Sequence, residues 1–448
     1  MPARSKESLI PPVDRTPPLR RLRRVAGDAG LRTLLGPGLA RHPSERPSIY
    51  LVAPSGHPNY GDELILRGWL RHLERVQPDA DVVVDCHTPG QAAVLHGREH
   101  PRVTFVDTLW RICAESEHLD EAEAADFAHR VIHDPGILCR IVSGIEMLAR
   151  ADVIHLVGGG YVNAVWPHHL ALLAAASAAV ERSGGSLVAT GQGLTPVGGG
   201  RRLELLRRYV ERFDVFDVRD TPSWEVIGDC AGVSLTGDDA WLAIRDDGIY
   251  DTDSEASRRK YVFCLQIDLM DGFDGGRGVD GLTSAVSDIV DRWGIDGTDT
   301  AFVEGIPGAD RVVYDRVVDL LPGAEFVPFT DVWWRGLPAR RDQVWVSTRF
   351  HPHLVAAAAG ARGIALSAGG DYYPVKHRSL VEAGSHWAVA ETSTLPDAPA
   401  DGGFGHETVA RLRGEKTALA GRIYPDVPFP VRHVRSARRR FAARSASR

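Results

Sequence analysis

Val153-Ile154-His155-Leu156-Val157-Gly158-Gly159-Gly160 is the stretch that decides the fold class of this 448-residue chain. A short, almost unbroken apolar run suits a strand covered on both faces, as parallel sheets cover theirs, and the glycines end it. The same punctuation recurs on either side. Leu187 to Thr190 stops at Gly191-Gln192-Gly193, and Val215 to Val218 stops at Arg219-Asp220. Upstream, Ser48 to Ala53 runs through a loop at Asn59 into an amphipathic helix bearing Leu64, Ile65, Trp69, Leu70 and Leu73, and Val82 to Asp85 follows as a strand. Leucines at helical spacing fill Leu203 to Phe213. Strands alternating with helices read as parallel βα units, so the chain is expected to be α/β and doubly wound.

A second set follows a polar stretch at 246–259. Its strands are Tyr261 to Ile267, Thr300 to Val303, Val344 to Ser347 and Gly363 to Leu366, with a short helix through Ala356 to Ala359 that begins near Pro352. With 44% hydrophobic and 25% charged residues the chain can fill two ordinary cores. The expected organisation is a basic Pro/Arg-rich tail at 1–47, a first Rossmann-like domain at 48–248, a linker at 249–259, a second Rossmann-like domain at 260–395, and a C-terminal extension with a basic tail at 396–448. The two domains would face a common cleft.

Charge narrows the function classes. Residues 1–47 carry a net +6 and residues 427–448 a net +7, which leaves −20 on the body of a chain whose total is −7. An acidic body argues against nucleic acid as a partner, because phosphate attraction needs a basic groove. The tails are read as solvated chain, or as peripheral contacts with anionic headgroups at the inner face of a membrane, where each Arg or Lys contributes about 1 kcal/mol. The beginning of the chain, with Pro11, Pro12, Pro17 and Pro18 among arginines, offers no signal-peptide stretch. The most apolar run, Leu170 to Val180, is interrupted by Ser177 and falls far short of the roughly 20 residues of a membrane span; it is expected to be a buried helix. Cys86, Cys113, Cys139, Cys230 and Cys264 form no C-x-x-C pair and fit core positions in a reducing, cytoplasmic setting.

Ligands of open α/β sheets bind beyond the carboxyl ends of the strands, so the residues there carry the candidate chemistry. In Asn59-Tyr60-Gly61-Asp62-Glu63, Gly61 permits a tight turn and the free N–H groups of a helix start can receive an anion or a sugar hydroxyl. Asp62 either caps that helix or binds acceptor hydroxyls. Gly158-Gly159-Gly160 lets a ligand or another loop approach closely, or is plain turn chemistry. Arg219 can grip a carboxylate or phosphate, or pair with Asp220 or Asp217 as a surface bridge.

Ser347-Thr348-Arg349-Phe350-His351-Pro352-His353 is the strongest of these segments, since it gathers an arginine, an imidazole and a helix start at one strand end. His351 is read as facing the cleft and His353 as packing, because residues two apart in extended chain point opposite ways. Lys376 stands out because only four lysines, Lys6, Lys260, Lys376 and Lys416, occur beside 48 arginines. No metal is expected: His168 and His169 are adjacent and cannot both face one ion from a regular element, and no H-x-x-x-H or Asp-x-Asp constellation accompanies them.

Taken in order, these pieces resemble the polysaccharide pyruvyl transferase family over about residues 48–385. The carriers are Asn59 to Glu63, Val157 to Gly160, Gly191-Gln192-Gly193 with Pro196, Val218-Arg219-Asp220 with Ser223, Thr236-Gly237-Asp238-Asp239-Ala240, Arg349-x-His351 followed by Ala356 and Gly360, and Lys376. Pro58 stands where the family usually has glycine. The resemblance implies the two-domain GT-B architecture and transfer of the enolpyruvyl unit of phosphoenolpyruvate to a sugar as a cyclic ketal. It implies His351 and Arg349 as catalytic residues, Arg219, Lys376, Gly159 and Gly160 on the donor, and Asn59, Gly61 and Asp62 on the acceptor. Phosphoenolpyruvate and a sugar acceptor, free, nucleotide-linked or lipid-linked, would be the partners, with no cofactor beyond the donor. On this reading His351→Ala abolishes turnover with the fold intact and Arg349→Ala mainly weakens donor binding. The competing classes are a nucleotide-sugar glycosyltransferase, whose paired ribose-binding acids have no counterpart around Glu382, and a non-catalytic sugar-binding protein on the same fold.

Overall fold

The computed structural model describes residues 46–244, 248–368, 373–392 and 395–426. The basic tails, apart from Arg46 and Pro47, lie outside the described residues.

Two parallel sheets organise the chain. The first contains β1 (Ser48–Val52), β2 (Asp81–Asp85), β3 (Val103–Val106), β4 (Val153–Leu156), β5 (Ser186–Gln192), β6 (Val215–Val218) and β7 (Val233–Leu235), in the spatial order β3-β2-β1-β4-β5-β6-β7. The second contains β8 (Tyr261–Cys264), β9 (Thr300–Val303), β10 (Glu325–Val327), β11 (Val344–Ser347), β12 (Arg362–Leu366) and β13 (Ala388–Ala390), in the order β10-β9-β8-β11-β12-β13. Both sheets share the Rossmann winding, with strand order reversing between β1 and β4 in the first and between β8 and β11 in the second. Crevices open at those two points, and the site lies between them.

The strands form where apolar residues can be covered on both faces: β4, β8, β9 and β11 are buried throughout. Helix α1 (Tyr60–Val76) starts at Asn59 and turns Leu64, Ile65, Trp69, Leu70 and Leu73 into the core. The apolar run expected to be a buried helix is one, α2 (Leu170–Ser183), closed by Gly184 at a φ of +67° that suits glycine. Among the described residues no helix is long and apolar enough to cross a membrane.

The domains are joined by a continuous apolar core in which α1 meets α3 (Phe350–Ala358). Across this joint Tyr60 N donates to Gly305 O at 2.9 Å, and Arg67 lies 3.3 Å from the ring centroid of Trp333 while donating to its carbonyl. The floor of the cleft is therefore packed protein, and the two sheets are held in one register.

Several boundaries differ from the sequence reading. Strands β3, β7, β10 and β13 are short and partly exposed, too weak in pattern to be read. The linker at 249–259 is anchored, with Ile249 and Ala256 buried in the interdomain core and Asp251 N bonded to Leu337 O. The extension at 396–448 is in its described part a component of the first domain. Its helix α4 (His406–Ile423) returns there, with Lys416 bonded to Asp217 and Asp239, and Tyr424 packed on Trp69 and His155. Of the cysteines expected in the core, Cys86, Cys113 and Cys264 are buried, Cys230 is half-buried and Cys139 is exposed.

Candidate active site

A cleft of about 720 Å³ opens where the two strand-order reversals face each other. Asn59, Asp62, Gly160 and Arg219 line it from the first domain, and Gln266, Arg349, His351 and Lys376 from the second.

His351 sits in the first turn of α3, and its position depends on a glycine in the other domain. A methyl group added at Gly61 would overlap the imidazole ring, so the start of α1 is shaped to receive it. Gly61 is helical and does not line the cleft; it makes room for a catalytic candidate, and the expected tight turn and acceptor contact are not where it acts. On the opposite side His351 Nε2 lies 3.4 Å from Asp238 Oδ1. Burial alone would raise the Asp238 carboxyl, yet His351 and Arg219 hold it down to about 2. It stays ionised beside the imidazole.

Two more glycines form the cationic corner. A Cβ on Gly160 would come within 3.1 Å of Arg219 Nη2 and 3.3 Å of Lys376 Nζ, and one on Gly193 within 2.6 Å of the Arg219 guanidinium. Arg219 is not a surface residue. It is 9% exposed, pairs with Asp220 at 3.2 Å and Asp238 at 3.6 Å, and lies over the Phe350 ring at 4.6 Å. Burial and then the neighbouring Arg219 push the Lys376 amine well below its ordinary value. Arg219 and Lys376 both border this corner of the cleft. Gly159 is not a lining residue: its N–H goes to Gly191 O and its carbonyl accepts from Gly193 N, which continues the sheet past β4.

Arg349 is more committed than its motif suggests. Its Nε donates to both oxygens of Asp310 at 3.1 Å and one Nη to Asp268 at 3.0 Å, while Asp310 also accepts from Gly305 N and Ile306 N. Burial would lower its pKa, but Asp310 raises it above the ordinary value. Arg349→Ala is therefore expected to cost about 2–3 kcal/mol of stability by leaving Asp310 without its cation, in addition to any donor contact. Urea unfolding monitored by tryptophan fluorescence measures this, and an unchanged midpoint would show that Asp310 is satisfied without Arg349.

Asn59, and not Asp62, caps α1: its Oδ1 accepts from Gly61 N, and its Nδ2 donates to Asp62 at 2.8 Å. Asp62 is thereby turned into the cleft, where burial raises its carboxyl to about 6 against the opposing pull of His351 and Lys376. Glu63 is consumed structurally, accepting from Gly56 N and meeting buried His96 at 2.6 Å. His353 packs as expected, stacked on Trp387 and bonded to His377 and Ser385.

Asp268, Asp310 and Gln266 were not legible as site residues, and Asp238 was quoted only within the Thr236 to Ala240 segment, with no role assigned. Asp238 follows β7, and the strand-end rule would have singled it out had that strand been readable. The metal expectation also needs amending. An H-x-x-x-H pair does exist at His129 and His133, on one helix, and with Glu181 of α2 it forms a group spaced to hold an ion. That group is at the surface, outside the cleft lining, and Glu181 is also engaged by Arg212 at 2.6 Å.

Two Rossmann-like domains facing each other across a cleft have the GT-B architecture. Residues 59–274 match the family model described as polysaccharide pyruvyl transferase. No curated protein matches the chain. Among solved structures, a putative UDP-N-acetylglucosamine 2-epimerase from Listeria monocytogenes is similar at 13% identity, with 85% of this chain and 93% of that chain covered and a TM-score of 0.49. The UDP-GlcNAc 2-epimerase from Neisseria meningitidis, bound to UDP-GlcNAc, is similar at 10% identity, covering 89% and 100%, with a TM-score of 0.47. Spinosyn rhamnosyltransferase SpnG is similar at 13% identity, covering 84% and 91%, with a TM-score of 0.45.

Proposed function

We propose that the protein transfers the enolpyruvyl unit of phosphoenolpyruvate to two hydroxyls of a sugar, forming a cyclic ketal and releasing phosphate. The observation that carries this reading is the His351 imidazole held between Gly61 and ionised Asp238, beside Arg219 and Lys376. Imidazolium protonates the methylene carbon of the donor, and the adjacent carbon becomes electrophilic. One sugar hydroxyl adds to that carbon and gives up its proton, the bond to the phosphate oxygen breaks, and the second hydroxyl closes the ketal as it loses its own proton. One of the two released protons restores the acid and the other leaves with phosphate. General acid catalysis of this kind contributes about 10²–10⁴-fold, and the cationic corner stabilises the departing phosphate. The sequence needs no cofactor beyond the donor.

Phosphoenolpyruvate is expected to raise the melting temperature, whereas UDP-sugars are not, and phosphate release should require a sugar. Stabilisation by a UDP-sugar instead would favour a glycosyltransferase, and stabilisation by neither a non-catalytic sugar-binding protein. The basic tails enter the proposal as peripheral membrane contacts at the inner face, which co-sedimentation with anionic vesicles tests; equal binding by a tailless chain would remove them.

Asp62 is assigned the base that takes the first hydroxyl proton. With its carboxyl at about 6, kcat/KM should rise with pH through that value, and Asp62→Asn should remove the acid limb along with most activity. Stability should move the other way. A carboxyl whose folded pKa is raised contributes stability at low pH and loses it as pH climbs through about 6, so Asp62→Asn is expected to melt higher than wild type well above that pH. An unchanged acid limb in the variant would assign the proton elsewhere.

A further inference from the structure

Away from the cleft, two helices of the first domain meet near their carboxyl ends. The helix Glu121–His133 packs along α2, and both turn alanines into the shared core, among them Ala124, Ala125 and Ala128 on one and Ala174, Ala175 and Ala178 on the other. Small residues let the backbones come close, so side chains on the rim of the seam can meet across it. His129 and His133 stand one turn apart on that rim, their ring centroids 4.6 Å from each other. Glu181 of α2 reaches them from the far side: His129 Nε2 lies 3.3 Å and His133 Nε2 3.4 Å from the same oxygen, Glu181 Oε2. The other oxygen, Oε1, accepts from Arg212 at 2.6 Å, which fixes the carboxylate with Oε2 turned to the imidazoles. Arg182, the second guanidinium at this seam, donates instead to Ile132 O at 2.7 Å and to Glu146 at 3.0 Å.

These separations are those of a metal-ligand set. Bonds of about 2.0–2.1 Å to a tetrahedral zinc ion hold neighbouring ligand atoms about 3.3–3.4 Å apart, and two such edges are already present. All three ligand atoms lie within 4.8 Å of one another, so the third edge closes with a turn of one imidazole about its soft outer torsion. Among the described residues no other group of three or more His, Cys, Asp or Glu side chains is spaced this way. The negative ends of two helix macrodipoles lie near the group, and the bond from Arg212 orients the carboxylate from outside, as partners of metal ligands do. Two imidazoles and one carboxylate suit a borderline ion such as zinc, not the all-oxygen sets of calcium and magnesium. Each side chain is partly exposed, which gives an ion its entry path and leaves a fourth position for water. We propose that His129, His133 and Glu181 bind one divalent ion of the zinc type, which ties the carboxyl end of the helix Glu121–His133 to that of α2. The site is independent of the pyruvyl-transfer reading, since about 18 Å of helix separates Glu181 from His169 at the cleft.

Chelator-treated full-length protein is titrated with cobalt(II) chloride, read by visible absorption, and with zinc chloride, read by calorimetry and by melting temperature. One ion per chain is expected, with the visible bands of four- or five-coordinate cobalt and no thiolate charge-transfer band. Zinc at about 100 times its Kd should raise the melting temperature by about 2 °C or more. His133→Ala and Glu181→Gln should each weaken binding about 10-fold or more, while Cys139→Ser, which removes the exposed thiol of the following segment, should leave it unchanged. Replacing both histidines by alanine should abolish the zinc-dependent shift and keep the metal-free melting temperature within about 2 °C of wild type, so that lost binding is read apart from lost fold. Absence of uptake, wild-type affinity in His133→Ala or Glu181→Gln, or a thiolate band that disappears in Cys139→Ser overturns the proposal.

Discussion

Turnover is expected to fall by about 10²-fold or more in Gly61→Ala and in His351→Ala alike, although only the second removes a functional group. Gly61 lies in the first turn of α1, where alanine is favoured over glycine by roughly 0.5–1 kcal/mol, so the helix itself should gain. The new methyl group would occupy the space of the His351 ring and drive the imidazole away from Asp238. Activity and stability should therefore separate: a melting temperature close to wild type with turnover as low as in the histidine variant. Steady-state phosphate release and calorimetry on both variants decide it. Wild-type turnover in Gly61→Ala would show that the imidazole acts from another position, and wild-type turnover in His351→Ala would end its role as the acid.

How much of this was legible depended on the range of the physics involved. Strands β4, β5, β6, β8, β9 and β11 announce themselves because apolar residues covered on both faces leave a local mark, and the glycines after them mark the strand ends where ligands bind. Arg349 and His351 were found by that rule. Gly61 was read as a tight turn, whereas its place against the His351 ring, 290 positions away, is revealed only by the packing of α1 on α3. Asp310 was invisible for the same reason: its two backbone donors are local, but the guanidinium it fixes comes from another strand end. The scarcity of lysine pointed to Lys376 and applied with equal force to Lys416, which was passed over because it lies in a helix with no strand end nearby.

Lys416→Met is expected to cost about 3–5 kcal/mol, the range for removing one partner from a buried ionic group. Lys416 is fully buried and its amine donates to Asp217 at 2.8 Å and Asp239 at 2.9 Å, so methionine fills the volume while leaving two carboxylates without their cation. Burial alone would lower the amine, but the two carboxylates raise it above its ordinary value. The stabilisation should then be complete below about pH 10, where the unfolded lysine is also charged, and decline as pH rises toward the folded pKa. Asp239 accepts from Trp69 Nε1 at 2.7 Å and Gly158 N at 2.8 Å as well, so its loop should keep its course, and turnover per folded molecule should survive in the variant at low temperature. Urea unfolding of Lys416→Met and of the double variant with Asp217→Asn tests the electrostatic origin of the loss. Partial recovery in the double variant is expected, because one buried charge disappears with its partner. A loss of the same size in both would assign the effect to packing of α4 and not to charge.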